Sequence, residues 1–443
     1  MSKHSVLAWS VVVALGGFLF GFDTAVISGA EKSIQHYWQL TVFEHGLTIS
    51  VALIGTVIGS LIGSLPSDRF GRKNTLYFVA LAYLFSSVGT ALAEDWSVFL
   101  GFRFLGGLGV GVSSVVAPIY ISEVSPAAQR GRLVGLFQFN VVLGILVSYL
   151  SNYLISQGGA SSWRWMLGVQ AFPSLLFLVL IKFVPESPRW LILKKGAMDA
   201  ALRILRIIDP SNCEQELAAI KSSGSVAAGA SGNERLFSAK YKKPVMLAML
   251  FAFFNQVSGI NAIIYYAPRI FEMAGLGAHS SLLSTVGIGA VNFIFTLIAI
   301  NCIDKVGRRL LMLVGSFGLI ASLFLVAWTF HQQAYGGFAI PAYVMLFIAF
   351  FAFSQGAVIW VFIAEIFPNA VRAKGQTLGS STHWVMAAII AFCFPYLAET
   401  FGGAVTFTFF GVMMVLQLLF VWRWMPETKG KSLEQIGTNI VLH

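Results

Sequence analysis

Apolar runs recur along the whole chain between short charged interruptions, each roughly twenty residues long, the length a helix needs to cross about 30 Å of hydrocarbon. Six lie near Val6–Ala30, His45–Leu65, Thr75–Ala93, Val98–Tyr120, Leu133–Leu154 and Trp165–Val184. Six more lie near Pro244–Phe271, Leu282–Cys302, Leu310–Phe330, Phe338–Phe367, Gly375–Ala398 and Val405–Trp424. The pattern predicts an all-α membrane protein with twelve transmembrane helices. The first run is too long for a signal peptide, carries Asp23 and shows no convincing cleavage site, so it reads as a retained span. Between the two sets, RWLILKK and the stretches 197–209 and 211–223 have helical periodicity with charged faces, and Ser222–Glu234 reads as a flexible break. The expected organisation is an N-terminal six-helix bundle over 1–184, a cytoplasmic helical linker over 185–243, a C-terminal six-helix bundle over 244–425 and a cytoplasmic tail over 426–443.

Three charged signatures show that the two sets are copies. DRFGRK at Asp68–Lys73 returns as DKVGRR at Asp304–Arg309, Glu123 and Arg130 return as Glu365 and Arg372 at the same spacing, and PES at Pro185–Ser187 returns as PET at Pro426–Thr428. All three offsets are about 240 residues and the order is kept, which is the mark of a duplicated chain. Duplicated halves in a membrane point to a transporter, with a substrate site between them near the midplane.

Composition agrees: 57% of the 443 residues are hydrophobic and 11% charged. The net charge of +10 raises nucleic-acid binding, but its distribution removes it. Of 29 Lys and Arg, three (Lys32, Arg164, Arg269) fall on one side and Arg103 falls within a span; the rest crowd the other side. That bias places both termini in the cytoplasm and assigns the charge to topology and anionic headgroups. The three cysteines form no pair or cluster, so neither a disulfide nor a metal is expected.

Polar residues inside the spans carry the candidate chemistry. Asp23 is the one carboxylate read as lying well inside a span of the first half, and Arg103 in the fourth span is its expected partner. Paired, the carboxylate stays ionised; drawn away into apolar surroundings it takes a proton. A structural ion pair is the plainer alternative. In the seventh span, FNQVSGINAIIYYAP holds Asn255, Gln256 and Asn261 around Gly259, with Pro268 able to break the helix. Amides donate and accept as hydroxyls do, and aromatic faces cover the apolar side of a sugar ring. Gln138 and Asn292 are further amide candidates, Phe20, Trp360 and Trp384 are candidate ring contacts, and His383 is read as the one His within a span. Any one amide alone could be interhelical glue. Gly106, Gly107, Gly109 and Gly111 read as a packing seam, not a nucleotide loop. The inner-loop signatures read as a cytoplasmic gate: Asp68, Arg69, Arg72, Glu123, Arg130, Glu186 and Arg189 in the first half, and Asp304, Arg308, Arg309, Glu365 and Arg372 in the second.

These residues together resemble the sugar porter family of the major facilitator superfamily, through GGFLFGFDTAVISG, DRFGRK, PIYISEVSP, PESPRWL, QVSGIN, DKVGRR, AEIFP and PETKG. The resemblance spans essentially the whole chain. It implies two six-helix bundles that rock about a central site, with short cytoplasmic helices between the halves. It also implies that Gln138, Gln256, Asn261 and Asn292 bind sugar hydroxyls beside Asn255, that Trp360 stacks on the ring, and that Phe20 and Trp384 line it. Asp23 and Arg103 match the coupling pair of the symporters, where facilitators tend to carry an amide at the Asp23 position. Four positions depart from the family pattern. Asn255 replaces the first of two adjacent glutamines, His383 an Asn or Gln, Ile145 a Gln of the xylose type, and Ser64 a Gly before DRFGRK.

The expected function is proton-coupled symport of a hexose, with glucose favoured over fructose or xylose, in a bacterial inner membrane. The partners are a monosaccharide, protons and the lipid bilayer, with no cofactor, and a monomer suffices. A facilitative uniporter on the same scaffold is the first rival. A sugar sensor is the second, and the short tail argues against it. No nucleophile elbow, phosphate loop or metal cluster supports an enzyme.

Overall fold

The computed structural model describes residues 2–126, 129–159, 161–229, 235–333, 337–368 and 371–429. Its first set of helices is α1 (Ser2–Tyr37), α2 (Val42–Ile62), α3 (Ser64–Phe70), α4 (Arg72–Leu92), α5 (Trp96–Val124), α6 (Arg130–Ile155), α7 (Ser162–Gly168) and α8 (Ala171–Leu180). The connecting stretch holds α9 (Pro188–Trp190), α10 (Met198–Ile208) and α11 (Cys213–Gly229). The second set is α12 (Lys242–Val257), α13 (Ile260–Met273), α14 (Ala278–Val306), α15 (Arg308–His331), α16 (Ala339–Phe353), α17 (Gln355–Glu365) and α18 (Arg372–Trp424).

Eleven helical stretches among the described residues are long and apolar enough to cross a membrane, and the last, α18, has 53 residues. At 1.5 Å per residue it measures about 80 Å, more than twice a hydrocarbon core. Gly402, at φ 74° and ψ 170°, breaks it, because only glycine takes that conformation without strain, and the two parts are separate spans. The fold is thus the twelve-helix membrane architecture expected. Large apolar side chains such as Leu92, Phe172, Phe183 and Trp422 are exposed, as lipid contact requires.

Two boundaries differ from expectation. α1 continues past Ala30 to Tyr37, because its polar last turns still bury Glu31 and Ile34 and keep the backbone helical. α11 continues to Gly229 through the expected break from Ser222. The rest of that expected break, 230–234, and the tail from 430 onward lie outside the described residues.

The chain forms two compact units. Unit 1 is Met1–Asp23, Gly55–Ile145 and Leu167–Asn233; unit 2 is Thr24–Ile54, Leu146–Met166 and Glu234–His443. The repeat boundary near 185–243 therefore differs from the division by contact: one end of the first set clusters with the whole second set. Within unit 1 the glycine run is a seam. A Cβ on Gly111 would lie 2.3 Å from the Thr56 carbonyl oxygen, and Thr56 Oγ1 donates to the Gly107 carbonyl at 3.2 Å.

The repeated signatures build the same structure in each unit. Gly71 (φ 96°) opens α4 and Gly307 (φ 101°) opens α15. The Glu186 carboxylate accepts the first backbone N–H groups of α4, from Arg72 at 2.9 Å and Lys73 at 3.1 Å. Glu427 accepts those of α15, from Arg308 and Arg309, both at 3.0 Å. Each PES or PET signature thus supplies an anion to a helix N-terminus more than a hundred residues away in sequence. Burial pushes the Glu186 carboxyl up against its N–H bonds. At Glu427 desolvation also pushes up, but the backbone N–H groups of Lys429, Arg309, Arg308 and Thr428 outweigh it and hold the carboxyl low.

Arginine completes each cluster. Arg72 contacts Asp68 and Glu123, both at 3.0 Å, and Arg308 contacts Asp304 and Glu365, both at 2.9 Å. A Cβ on Gly307 would lie 2.7 Å from Glu427 Oε2, so Gly307→Ala combines a strained φ with displacement of the cap. We expect it to destabilise the protein by about 2–3 kcal/mol, read as a lower melting midpoint of purified protein; an unchanged midpoint would refute this role for the glycine.

Candidate functional site

The first candidate lies in unit 1. Asp23 on α1 and Arg103 on α5 are both 2% exposed and joined by one bond, Arg103 Nη1 to Asp23 Oδ1 at 3.2 Å. Gly106, one turn beyond Arg103, leaves the room: a Cβ there would stand 2.4 Å from Ser86 Oγ and 3.5 Å from Asp23 Oδ1. Arg103 Nε and Nη2 have no hydrogen-bond partner. A permanent structural bridge repays its desolvation only when the fork is used on both sides and the remaining donors are satisfied. This pair meets neither condition.

The second candidate lies in unit 2, where the seventh span is broken. α12 ends at Val257, Gly259 takes φ 87°, and α13 begins at Ile260. The Phe410 ring would stand 2.6 Å from a Cβ at Gly259, so glycine is needed for both its conformation and its size. The break turns the amides toward one another. Asn261 Nδ2 donates to Gln256 Oε1 at 2.7 Å, and Gln256 Nε2 donates to Asn255 Oδ1 at 3.0 Å and lies 3.2 Å from each ring nitrogen of His383. A donor pointing at the ring requires a lone pair on it, which a neutral imidazole supplies. Asn255 Nδ2 is buried with no partner.

Aromatic faces adjoin the amides. Trp360 and His383 have ring centroids 4.8 Å apart, His383 and Trp384 4.9 Å, and Trp360 and Trp384 6.4 Å. Trp360 is 37% exposed while His383 and Trp384 are 8%, so of the three rings Trp360 has the free face. Interlocked amides beside an accessible indole suit a neutral polyhydroxylated ligand. Asn292 is half-buried on α14, outside this bonded set. Phe20 and Gln138 belong to unit 1, on α1 and α6, with Phe20 against Phe137 at 6.5 Å.

The remaining gate candidates divide. Arg130 Nε donates to the Ser122 carbonyl at 3.0 Å and Arg372 Nε to the Phe367 carbonyl at 3.2 Å. Arg309 Nη2 donates to the Trp422 carbonyl at 2.7 Å. Arg69 is exposed and stacks on Phe70, and Arg189 is exposed on α9, so neither joins the ion-pair clusters.

Two expectations about buried charge need correction. Asp23 is not the only buried carboxylate of the first half, because Glu31 on α1 is 0% exposed; nor is His383 the one buried span histidine, because His45 on α2 is also 0% exposed. Glu31 Oε1 accepts from Arg269 Nε of α13 at 3.0 Å, and His45 Nε2 lies 2.8 Å from Glu31 Oε2. Glu31 lies just past the expected first span, while His45 opens the second and Arg269 lies near the end of the seventh. The available signal was helical: Glu31 follows Asp23 by two turns on the same helix, so its face continues inward.

Comparison with known proteins gives one answer over nearly the full length. The family model described as sugar (and other) transporter matches residues 9–439. The arabinose-proton symporter of Bacillus subtilis is 39% identical over 98% of this chain and 95% of its own length. A glucose transporter of Staphylococcus epidermidis is 36% identical over 96% and 95%. The inward-open structure of the Escherichia coli xylose transporter XylE superposes with a TM-score of 0.87 at 33% identity, covering 98% of this chain and 99% of that one. The chain belongs to the sugar porter family of the major facilitator superfamily.

Proposed function

We propose that this multi-pass membrane transporter, which is not an enzyme, is a proton-coupled monosaccharide symporter that works by alternating access with both termini in the cytoplasm. The observation that carries the coupling is the buried Asp23–Arg103 pair, made through one 3.2 Å bond with two arginine nitrogens unpartnered. When the pair separates, the freed carboxylate, left in apolar surroundings, takes up a proton. Gln256, Asn261, Asn255 and His383 bond the sugar hydroxyls and Trp360 stacks on the ring, with Trp384 behind it; Asn292, Gln138 and Phe20 are further contacts on the resemblance. The repeats, 1–184 and 244–425, serve as the two moving bodies, and the Arg72 and Arg308 clusters brace the cytoplasmic ends of their helices.

The relatives' names support a sugar with proton coupling, and the glucose transporter among them supports a hexose. The proposed substrate is glucose, ahead of fructose and xylose. Purified protein in liposomes should concentrate labelled glucose under an imposed inward proton gradient and prefer it over fructose, xylose and arabinose. Equilibration without concentration would assign a uniporter, and concentration of another sugar would move the substrate alone.

A further inference from the structure

On the side of α17 away from the sugar-facing rings lies a buried polar chain, all of it in unit 2. The tenth span is broken as the seventh is: α16 ends at Phe353, Ser354 leaves the helical region at φ −116° and ψ −87°, and α17 begins at Gln355. α15 seats the break, since a Cβ on Gly315 would lie 2.0 Å from Ser354 Oγ. Gln355 and Gln417 are each 1% exposed and Ser316 is 0%. Gln355 Nε2 donates to Gln417 Oε1 of α18 at 2.7 Å and meets Met414 Sδ at 3.3 Å. Gln417 Nε2 donates to Ser316 Oγ of α15 at 2.9 Å, and that hydroxyl donates to the Met312 carbonyl at 2.7 Å.

Two observations assign this chain to geometry more than to stability. Gln355 Oε1 is buried with no hydrogen-bond partner. An apolar pair of the same shape would avoid that desolvation, so the amides hold one arrangement at a cost in stability. Direction is the second. Trp360 follows Gln355 by five residues on α17, which at about 100° per residue places it roughly 140° around the helix. Gln355 is bonded toward α15 and the second part of α18. Trp360 stands on the far side, its ring centroid 4.8 Å from that of His383 on the first part of α18.

We propose that Gln355, Gln417 and Ser316 form a positioning lock: their hydrogen bonds on the back of α17 set where Trp360 presents its indole to the sugar. The inference rests on the proposed stacking of sugar on Trp360. α17 is also held by buried Val358, Ile359 and Phe362. Apolar burial is non-directional, whereas a hydrogen bond fixes both distance and angle. With the lock removed the helix stays packed, but its rotation is no longer set, and a ring little more than one turn from the break shifts with it. The three residues touch no sugar; they act through Trp360.

Equilibrium exchange by the full chain in liposomes reads the half-saturating concentration for whichever of glucose, fructose, xylose and arabinose it takes. Gln355→Met and Gln417→Met break the same bond from opposite sides, and each should raise that concentration by roughly 3- to 30-fold, with a smaller change in maximal rate. The double variant leaves no amide unpaired, because Ser316 still donates to Met312. Its melting midpoint should match or exceed the parent's while its half-saturating concentration stays high; a merely structural pair would recover both together. A double-mutant cycle reads action through Trp360: in Trp360→Ala, adding Gln355→Met should change the half-saturating concentration by less than about twofold. Unaltered half-saturation in both single variants, its recovery in the double variant, or full additivity with Trp360→Ala overturns the lock alone. A parent that exchanges none of the four sugars overturns the transport reading and the lock with it. Should Gln355→Met fail to fold, Gln417→Met and the double variant decide.

Discussion

Asp23→Asn abolishes proton-driven accumulation of sugar and leaves exchange and downhill flux within about tenfold of the unmodified protein. Asparagine is nearly isosteric and retains an oxygen to accept from Arg103, so the 3.2 Å contact survives in form. What is lost is the titration. Each pH unit of gradient is worth about 1.4 kcal/mol per proton, or tenfold in sugar ratio. A one-to-one symporter under a gradient of two units therefore holds up to about a hundredfold excess inside, and the variant holds none. The buried guanidinium also loses its counter-charge, a change that costs about 3–5 kcal/mol where no rearrangement relieves it. The variant should therefore melt earlier as well, and exchange in the same preparation shows that it is folded. Accumulation retained by Asp23→Asn would make the pair structural.

The second large effect is expected at Gln256. Its side chain bonds Asn261 and Asn255 and touches His383, so Gln256→Ala removes one ligand contact and releases three others. Loss of one buried partner costs about 1–3 kcal/mol, which raises the half-saturating sugar concentration by roughly 5- to 150-fold. Asn292→Ala, outside the bonded set, should raise it less. Equal effects at the two positions would show that the interlocked amides are interhelical glue. Equilibrium binding or exchange measured against sugar concentration reads both.

The features legible in the sequence were those that stand out against hydrocarbon. Asp23, Arg103 and the amides around Gly259 are conspicuous because polar residues inside an apolar run are rare. The duplicated signatures are equally conspicuous, but their purpose was hidden. No local pattern says that Glu186 caps a helix beginning at Arg72, or Glu427 one beginning at Arg308, because each pairing is made by tertiary folding. The positive φ of Gly71 and Gly307 likewise appears only with the backbone. The Glu31, His45 and Arg269 cluster escaped for a different reason. Its members lie at or just past the ends of the expected spans, and Arg269 follows Glu31 by 238 residues. Helix ends in a transporter are where contacts must form and break, so the residues that matter there carry mixed polarity.

The division of the chain by contact bears on the mechanism. Thr24–Ile54 and Leu146–Met166 belong with the second set in unit 2, and the Glu31 cluster is one reason. Tyr149 Oη donates to the Ile264 carbonyl at 2.9 Å and Tyr153 lies against His279, ring centroids 4.6 Å apart, so these same ends are joined by bonds and rings as well as charge. A cycle that opens this end must break all of these contacts.

Sugar-evoked proton movement tests the central claim most directly. Liposomes containing the purified protein, with no imposed gradient and a pH indicator in a weakly buffered medium, receive a pulse of glucose. The account predicts alkalinisation outside, one proton taken up for each glucose, and its absence in Asp23→Asn. Glucose entry without any change in external pH would contradict it and make the protein a uniporter.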